Sequence, residues 1–230
     1  MKLPSPLLEG VLIRRYKRFL ADVELADGRI VTAHTPNTGS MLQCAVPGHA
    51  VLLSESDNPR RKLPYTLELI RANDCWVDSN TQRANRVVEE GLRNGSVPGL
   101  SDYEVIPEFG FGESRLDFKL ESTESKVLLE VKIVTLLDSF GRACFPDAVT
   151  TRGQKHLREL ISAVGLGWRA AIFFLVQRCE AQSFAPADHI DPEYGLLLRQ
   201  AIVAGVEPIA MRTRVTPEEV VLDCPIPVEV

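Results

Sequence analysis

Long apolar runs are missing from this 230-residue sequence. No stretch approaches the roughly 20 apolar residues that a membrane-spanning helix needs, so we expect no membrane partner. The first six residues, Met-Lys-Leu-Pro-Ser-Pro, lack the basic and apolar segments of a signal peptide. With 45% hydrophobic and 25% charged residues, the composition is that of a globular, cytoplasmic protein with one large or two small domains.

Paired cysteine motifs are also missing. The five cysteines are scattered, odd in number and without any C-x-x-C spacing: Cys44, Cys75, Cys144, Cys179 and Cys224. This pattern predicts reduced thiols in the cytoplasm and argues against a zinc site.

A basic excess is absent, since the formal net charge is −5. Residues 1–64 carry nine Lys and Arg against six Asp and Glu, whereas the remainder carries 17 against 25. Net charge alone therefore does not indicate nucleic-acid binding. The acidic second part is compatible with a metal-dependent nuclease, because such metal sites are built from carboxylates.

Residues 1–79 consist of short apolar segments separated by turn sequences, such as Ala-Asp-Gly-Arg at 26–29. About five short strands within 80 residues predict a small β-barrel of the OB-fold type. The expected strands are residues 11–25, 30–33, 50–54, 64–71 and 75–78.

Basic residues form two clusters in this predicted barrel. Basic and aromatic side chains are interleaved in residues 14–19, as in OB-fold grooves that bind single strands. If these residues belong to one strand, Lys17 shares a side with Arg15, and Arg18 faces the other way. The alternative is that the aromatic residues are core and the charges form a solvated face. The nucleic-acid candidates are Arg15, Lys17, Arg18, Arg60, Arg61 and Lys62.

Residues 34–41, His-Thr-Pro-Asn-Thr-Gly-Ser-Met, combine several turn-forming residues. Two interpretations stay open. The backbone N–H groups and hydroxyls form an anion-binding nest, or Ser40 caps a short helix. His34 alone is expected to be a structural residue rather than a ligand.

Residues 80–230 change to alternating helices and strands. The order αββαβαβ predicts a mixed sheet flanked by helices, which is also the order of the restriction-endonuclease-like core. The expected elements are a helix at 80–92, strands at 114–121 and 126–134, a helix at 147–164, a strand at 170–176, a helix at 191–205 and a strand at 206–211.

The hairpin of residues 114–134 carries the candidate site. If its loop places residue 121 opposite residue 126, Asp117 lies across from Glu130, and Lys132 shares that face. Two carboxylates suit Mg²⁺ or Mn²⁺, and a lysine can orient the water that a bound metal activates. This is the constellation of the PD-(D/E)xK nucleases without the leading Pro. The alternative is a charge pattern on a solvated sheet, against which the nearly all-apolar strand 126–134 argues.

The helix after the hairpin has an inner stripe that is apolar at one end and polar at the other. A helical wheel places Gly153 and Gln154 on the same side as the apolar residues 157, 160, 161 and 164. Gln154 is therefore a candidate for substrate contact. The same calculation places three polar residues on a solvated face: Arg152, Lys155 and His156. On the preceding helix, Glu89 and Glu90 lie off the inner stripe.

The chain resembles the sugar fermentation stimulation protein family over nearly its whole length. The matching segments are residues 15–22, 34–41, 114–118, 130–132, 145–150 and 152–157. The resemblance implies an OB-like domain over residues 1–79, a nuclease-like domain over residues 80–230, DNA binding and a link to sugar catabolism. It also implies that the family's helix glutamate maps to Glu90. Arg115, inside one matching segment, is a further candidate for nucleic-acid contact.

Two functions stay open at this point. The first is a Mg²⁺-dependent nuclease on DNA or RNA, in which Asp117 and Glu130 hold the metal, Lys132 orients water and Gln154 contacts substrate. The second is a non-catalytic DNA-binding regulator of sugar catabolism genes. The intact Asp/Glu/Lys trio favours the enzyme, since a pure binder does not need it.

Overall fold

The computed structural model describes residues 1–37 and 39–230. Its first part contains six strands: β1 (Leu8–Tyr16), β2 (Leu20–Leu25), β3 (Ile30–His34), β4 (Ala50–Glu55), β5 (Tyr65–Ala72) and β6 (Cys75–Asp78). They pair in the order β3-β2-β1-β4-β5-β6, and an additional pairing of β3 with β5 closes the first five into a barrel. The predicted OB-like barrel is confirmed.

The β1–β2 connection differs from the predicted single strand over residues 11–25. Lys17 and Arg18 adopt left-handed conformations, with φ of 50° and 66°, and residues 17–19 form a turn. Non-glycine residues rarely take this conformation, and no Asn-Gly or Asp-Gly pair marks this hairpin in the sequence. The single strand on which the predicted opposite facing of Lys17 and Arg18 depended is therefore wrong, because both residues lie at the hairpin tip.

The second part is a mixed sheet with three helices. Its elements are α1 (Thr81–Arg93), β7 (Glu104–Phe111), β8 (Ser114–Glu121), β9 (Lys126–Val134), β10 (Leu136–Leu137), β11 (Ala143–Phe145), α2 (Thr151–Gly165), β12 (Arg169–Val176), β13 (Phe184–Pro186), α3 (Pro192–Ala204), β14 (Glu207–Val215) and β15 (Val220–Pro225). The main sheet has the order β15-β14-β12-β9-β8-β7, with β12 parallel to both β9 and β14. The predicted fold is confirmed, and β7 and β15 extend the sheet at its two edges. Within the described residues, no helix is both long and apolar enough to cross a membrane.

Helix α1 packs against one face of this sheet, and helices α2 and α3 pack against the other. Successive residues of β9 show the alternation: Leu129 packs in the core with Val88 of α1, and Leu128 packs in the core with Leu157 of α2. Glu130 follows the parity of Leu128, so it faces α2.

Polar contacts join the two domains. Ser40 Oγ donates to Asp147 Oδ2 across 2.7 Å. The buried Arg83 of α1 pairs with Glu68 of β5 at 2.7 Å and with Asp78 of β6 at 2.6 Å. Ser40 therefore binds the second domain instead of capping a helix, which corrects that interpretation of residues 34–41. The anion-nest alternative stays a prediction, and Thr38 of this segment lies outside the described residues.

A disulfide also joins the domains. Cys75 of β6 and Cys179, in the loop after β12, are bonded, with their Cα atoms 5.8 Å apart. The prediction of reduced thiols is wrong for this pair. The two cysteines are separated by 104 residues, and they come together only because the barrel docks on the end of β12, so spacing alone could not reveal the bond.

Candidate active site

Glu130 is the centre of a buried polar cluster between β9 and α2. The register of the β8–β9 hairpin is the predicted one from the Glu121–Lys126 pair to the Phe118–Leu129 pair. The ladder ends there, so the predicted pair of Asp117 with Glu130 is not part of it. Glu130 is only 3% exposed, and its Oε1 contacts both His156 Nδ1 and Lys132 Nζ. Lys132 Nζ also lies 3.3 Å from His156 Nδ1. Lys132 therefore stands beside Glu130, as the strand alternation predicts.

The charge state of Glu130 is set by opposing effects. Burial raises the pKa of this carboxyl, but the hydrogen bond from His156 and the positive charge of Lys132 outweigh burial and lower it below its ordinary value. Glu130 is therefore ionised at neutral pH.

Asp117 lies at the point where the β8–β9 ladder ends. Its Oδ2 accepts a hydrogen bond from the Val131 N–H at 2.7 Å, and its Oδ1 accepts one from Asn85 Nδ2 of α1, also at 2.7 Å. Burial first, and then the negative charge of Glu130, raise the pKa of Asp117. The charge of Glu130 thus affects Asp117, although Asp117 is hydrogen-bonded to a residue of α1 and Glu130 to a residue of α2. The predicted separation of about 5–6 Å between them stays a prediction.

One oxygen of Glu130 is suited to a ligand. Glu130 Oε2 is buried, and none of the described residues forms a hydrogen bond with it. A buried carboxylate oxygen without a partner is costly unless a cation or water occupies its free side. The donor set of Asp117 and Glu130 consists of carboxylate oxygens, which hard divalent cations prefer, so the residues present fit such a metal.

His156 was expected on a solvated face, and that expectation is wrong. Its side chain is almost fully buried against Glu130. The inner stripe of α2 runs through Gly153, His156, Leu157, Leu160 and Ala163. Counting i, i+3, i+4 and i+7 from Gly153 places His156 on the inner stripe. The prediction centred the stripe on residues 157–164 instead, and His156 then fell outside it.

Gln154 does not join the Glu130 cluster. Its Nε2 donates to both carboxylate oxygens of Asp191, at 2.9 and 3.1 Å. Asp191 in turn caps α3 by accepting from the Tyr194 N–H. Gln154 thus ties α2 to the start of α3, and its contact with substrate stays a prediction.

Tyr194 is a buried polar group that the sequence did not single out. Its hydroxyl is fully buried and has no hydrogen-bond partner in the described part of the chain. Burial, followed by the negative charges of Glu130 and Asp191, raises the pKa of this phenol well above its ordinary value. Tyr194 therefore keeps its proton and offers an O–H donor on the α3 side of the cluster.

Helix α1 contributes Asn85 rather than a glutamate. Glu90 is half-exposed and forms an ion pair with the N-terminal amine of Met1 at 2.8 Å, so it does not contact Asp117. Glu90, the glutamate that the family resemblance implied, therefore lies away from Asp117 on this helix. No pattern in the sequence singles out Asn85, because a single amide on a helix has many ordinary roles.

The predicted nucleic-acid residues fall into three groups. Arg15 is a structural residue: its guanidinium donates to the backbone carbonyls of Asn37 (2.6 Å), Ser40 (3.3 Å) and Arg18 (2.5 Å). Arg115 pairs with Glu108 at 3.1 Å on the exposed side of β8. The others have exposed side chains in loops of the barrel: Lys17, Arg18, Arg60, Arg61 and Lys62.

A cleft of about 580 Å³ separates the β1–β2 hairpin from the segment that precedes α2. Lys17 and Arg18 line its barrel side, and Ala148 and Val149 line the side of the second domain. The cleft therefore lies between a basic hairpin tip and the helix that carries His156.

Comparisons with known proteins agree with this architecture. A family model described as "SfsA N-terminal OB domain" matches residues 13–78, and one described as "Sugar fermentation stimulation protein RE domain" matches residues 82–219. Two proteins named sugar fermentation stimulation protein homolog are similar to this chain. The one from Syntrophotalea carbinolica is 64% identical and covers 99% of both chains, and the one from Geobacter sulfurreducens is 56% identical and covers 99% of this chain and 98% of its own. The solved structure titled "The structure of Pyrococcus Furiosus SfsA in complex with Ca2+" matches all of both chains with a TM-score of 0.89 and 29% identity.

Proposed function

Because this chain belongs to the sugar fermentation stimulation protein family, we propose that it binds nucleic acid and hydrolyses phosphodiester bonds with Mg²⁺ or Mn²⁺. The observation that carries this proposal is the Glu130 cluster. A buried, ionised carboxylate lies against Lys132 and His156 and keeps one oxygen without a partner. A protein that only binds nucleic acid has no use for such a costly arrangement.

The proposed roles follow from the contacts. Asp117 and Glu130 would hold the metal, whose chemistry is to activate water and to stabilise negative charge at phosphorus. Lys132, fixed by Glu130, would orient the attacking water and add positive charge next to the phosphate. His156 fixes the orientation of Glu130. Asn85 and the Val131 N–H do the same for Asp117, so each carboxylate is positioned from a rigid element.

The relative from Pyrococcus furiosus supports a hard cation, since its structure is in complex with Ca²⁺. Ca²⁺ and Mg²⁺ share the preference for oxygen ligands but differ in size and coordination. A site made of Asp117 and Glu130 has that same preference.

Cleavage assays test the nuclease directly. We expect the purified chain to cut labelled DNA or RNA in Mg²⁺ or Mn²⁺ and to be inactive in EDTA. Lys132→Met and Asp117→Asn should each lower the rate at least a hundredfold, while binding changes only a few fold. The matched control is Lys155→Met, because Lys155 lies on α2 and pairs at the surface with Glu113 at 3.3 Å.

Two outcomes would refute the proposed nuclease activity. Equal activity in the wild type and in both site variants would identify a contaminant. Binding without cleavage under every metal condition would favour the second candidate, a non-catalytic DNA-binding regulator of sugar catabolism genes, which the family name suggests.

A further inference from the structure

Three segments meet at one end of the barrel. The hairpin tip of residues 17–19 leads into Leu20, which pairs with His34 at the end of β3. His34 pairs in turn with Thr66 at the start of β5. The loop of residues 56–64 leads into β5, so its basic cluster lies at the same end as the hairpin tip.

The cations at this end are unpaired. The side chains of Lys17, Arg18, Arg60 and Lys62 are exposed, and none forms an ion pair with any residue in the ranges 1–37 and 39–230. Most other basic residues of the barrel have partners, such as Arg14 with Asp22 at 2.8 Å. A concentration of unpaired cations is the electrostatic footprint of a polyanion site.

The hairpin tip is held in a strained conformation. Two consecutive non-glycine residues, Lys17 and Arg18, have positive φ, which is costly for side chains of this size. Arg15 maintains the shape by donating to the Arg18 carbonyl and to the Asn37 carbonyl. A tight turn without glycine therefore carries two consecutive exposed cationic side chains.

An exposed aromatic residue follows these cations. Phe19, the last residue of the turn before β2, is 47% exposed although it is a large apolar residue. Its backbone is fixed, since its carbonyl accepts a hydrogen bond from the Thr35 N–H at 2.8 Å. An exposed ring on a hydrogen-bonded backbone, next to unpaired cations, is an arrangement on which proteins stack unpaired bases.

The cleft lies between this tip and residues 147–149, which precede α2. The carboxylate of Asp147 at its floor accepts hydrogen bonds from Ser40 and from the Met41 N–H, so its charge is partly neutralised. Beyond the cleft, Arg152 in the first turn of α2 is exposed, and its Nε lies 3.5 Å from His156 Nε2. Cationic side chains thus lie on both sides of the cleft: Lys17 and Arg18 on the barrel side, and Arg152 in the first turn of the helix that follows the other side.

We propose that the hairpin tip and the cleft bind a single-stranded segment of nucleic acid, with a base stacked on Phe19 and phosphates at Lys17 and Arg18. This inference rests on the proposed nuclease function and specifies the form of its substrate. A duplex keeps its bases inside the stack and offers Phe19 no base face. The cleft beside these cations has a volume of about 580 Å³, in the range of about 300–1,000 Å³ that holds small ligands, so it has room for a nucleotide unit of a single strand.

Anisotropy titrations in EDTA, which prevents cleavage, test this inference with the full chain. The probes are labelled single strands of about 15 nucleotides, as DNA and as RNA, and a blunt DNA duplex. The wild type should bind a single strand at least tenfold more tightly than the duplex. Phe19→Ala should weaken single-strand binding about five- to a hundredfold and leave duplex binding unchanged. Lys17→Ala with Arg18→Ala should lower the log–log salt slope by about 1.4.

Two further variants control for folding and for the loss of an exposed ring elsewhere. Phe19→Leu keeps an apolar side chain of similar size but loses the ring plane, so it should weaken single-strand binding as Phe19→Ala does. It serves as the test if Phe19→Ala disturbs folding. The matched control is Phe140→Ala, because Phe140 is 82% exposed and lies over Arg142, which lines a different cavity with Glu229.

The outcomes separate the two proposals. If the duplex binds as tightly as the single strand, or if both Phe19 variants bind single strands like the wild type, the single-strand inference is overturned and the nuclease proposal is untouched. If neither form of nucleic acid binds to the wild type, the proposed function itself fails.

Discussion

His156 of α2 makes a direct hydrogen bond to Glu130 of β9, and both side chains are buried. This contact connects the helix at the mouth of the cleft to the proposed metal ligand. Burial raises the pKa of Glu130, and the hydrogen bond from His156 offsets much of this effect. The packing of α2 and the charge state of the site therefore depend on each other.

His156→Ala should lower the free energy of unfolding by about 1–3 kcal/mol at pH 7, because it removes one of the two hydrogen-bond partners of the buried Glu130 carboxylate. The folded state holds the pKa of Glu130 below its ordinary value of 4.5, so this stabilisation is complete above about pH 4.5. It is lost as the pH falls through the lowered pKa. Urea unfolding of both proteins between pH 3 and 7 measures the difference. Lys155→Ala, one residue away and solvent-facing, is the control and should change stability by less than about 0.5 kcal/mol.

Asp117→Asn should raise the free energy of unfolding at pH 7 by about 0.5–2 kcal/mol while it abolishes cleavage. Burial and Glu130 raise the pKa of Asp117 in the folded state, so its charge destabilises the fold above that pKa. Protonation removes the cost, and the advantage of the variant should shrink as the pH falls through the raised value. Urea unfolding at pH 7.5 and 4.5 checks the sign. A variant less stable than the wild type at pH 7.5 would mean that the bonds from Asn85 and Val131 outweigh the repulsion.

Reduction should destabilise the wild type. The Cys75–Cys179 bond closes a loop of 104 residues, and disulfides typically contribute about 2–4 kcal/mol, chiefly by restricting the unfolded chain. Thermal unfolding with and without dithiothreitol should show a lower Tm on reduction for the wild type and no further change for Cys179→Ser. Cys224→Ser is the matched control, because that thiol is free, and it should keep the wild-type response. The same Tm for the wild type with and without reductant would contradict a stabilising bond.

The sequence predicted the elements that local pattern determines. The β8–β9 register followed from a short symmetric loop, and the barrel and the mixed sheet followed from strand spacing and element order. Features that depend on tertiary docking were missed. Lys17 and Arg18 form a turn because Arg15 anchors it to residue 37, and Cys75 meets Cys179 only through domain packing. His156 is intermediate between these cases, since its periodicity was readable but the helical wheel was centred on the wrong residues.

The most direct test of the account is Mn²⁺ binding, measured by calorimetry on the wild type and on Glu130→Gln. The matched control is Glu90→Gln, a carboxylate on α1 that pairs with Met1. We predict that the wild type and Glu90→Gln bind Mn²⁺ with the same affinity. Glu130→Gln should bind Mn²⁺ at least tenfold more weakly. Unchanged binding by Glu130→Gln would contradict the assignment of Glu130 as a metal ligand.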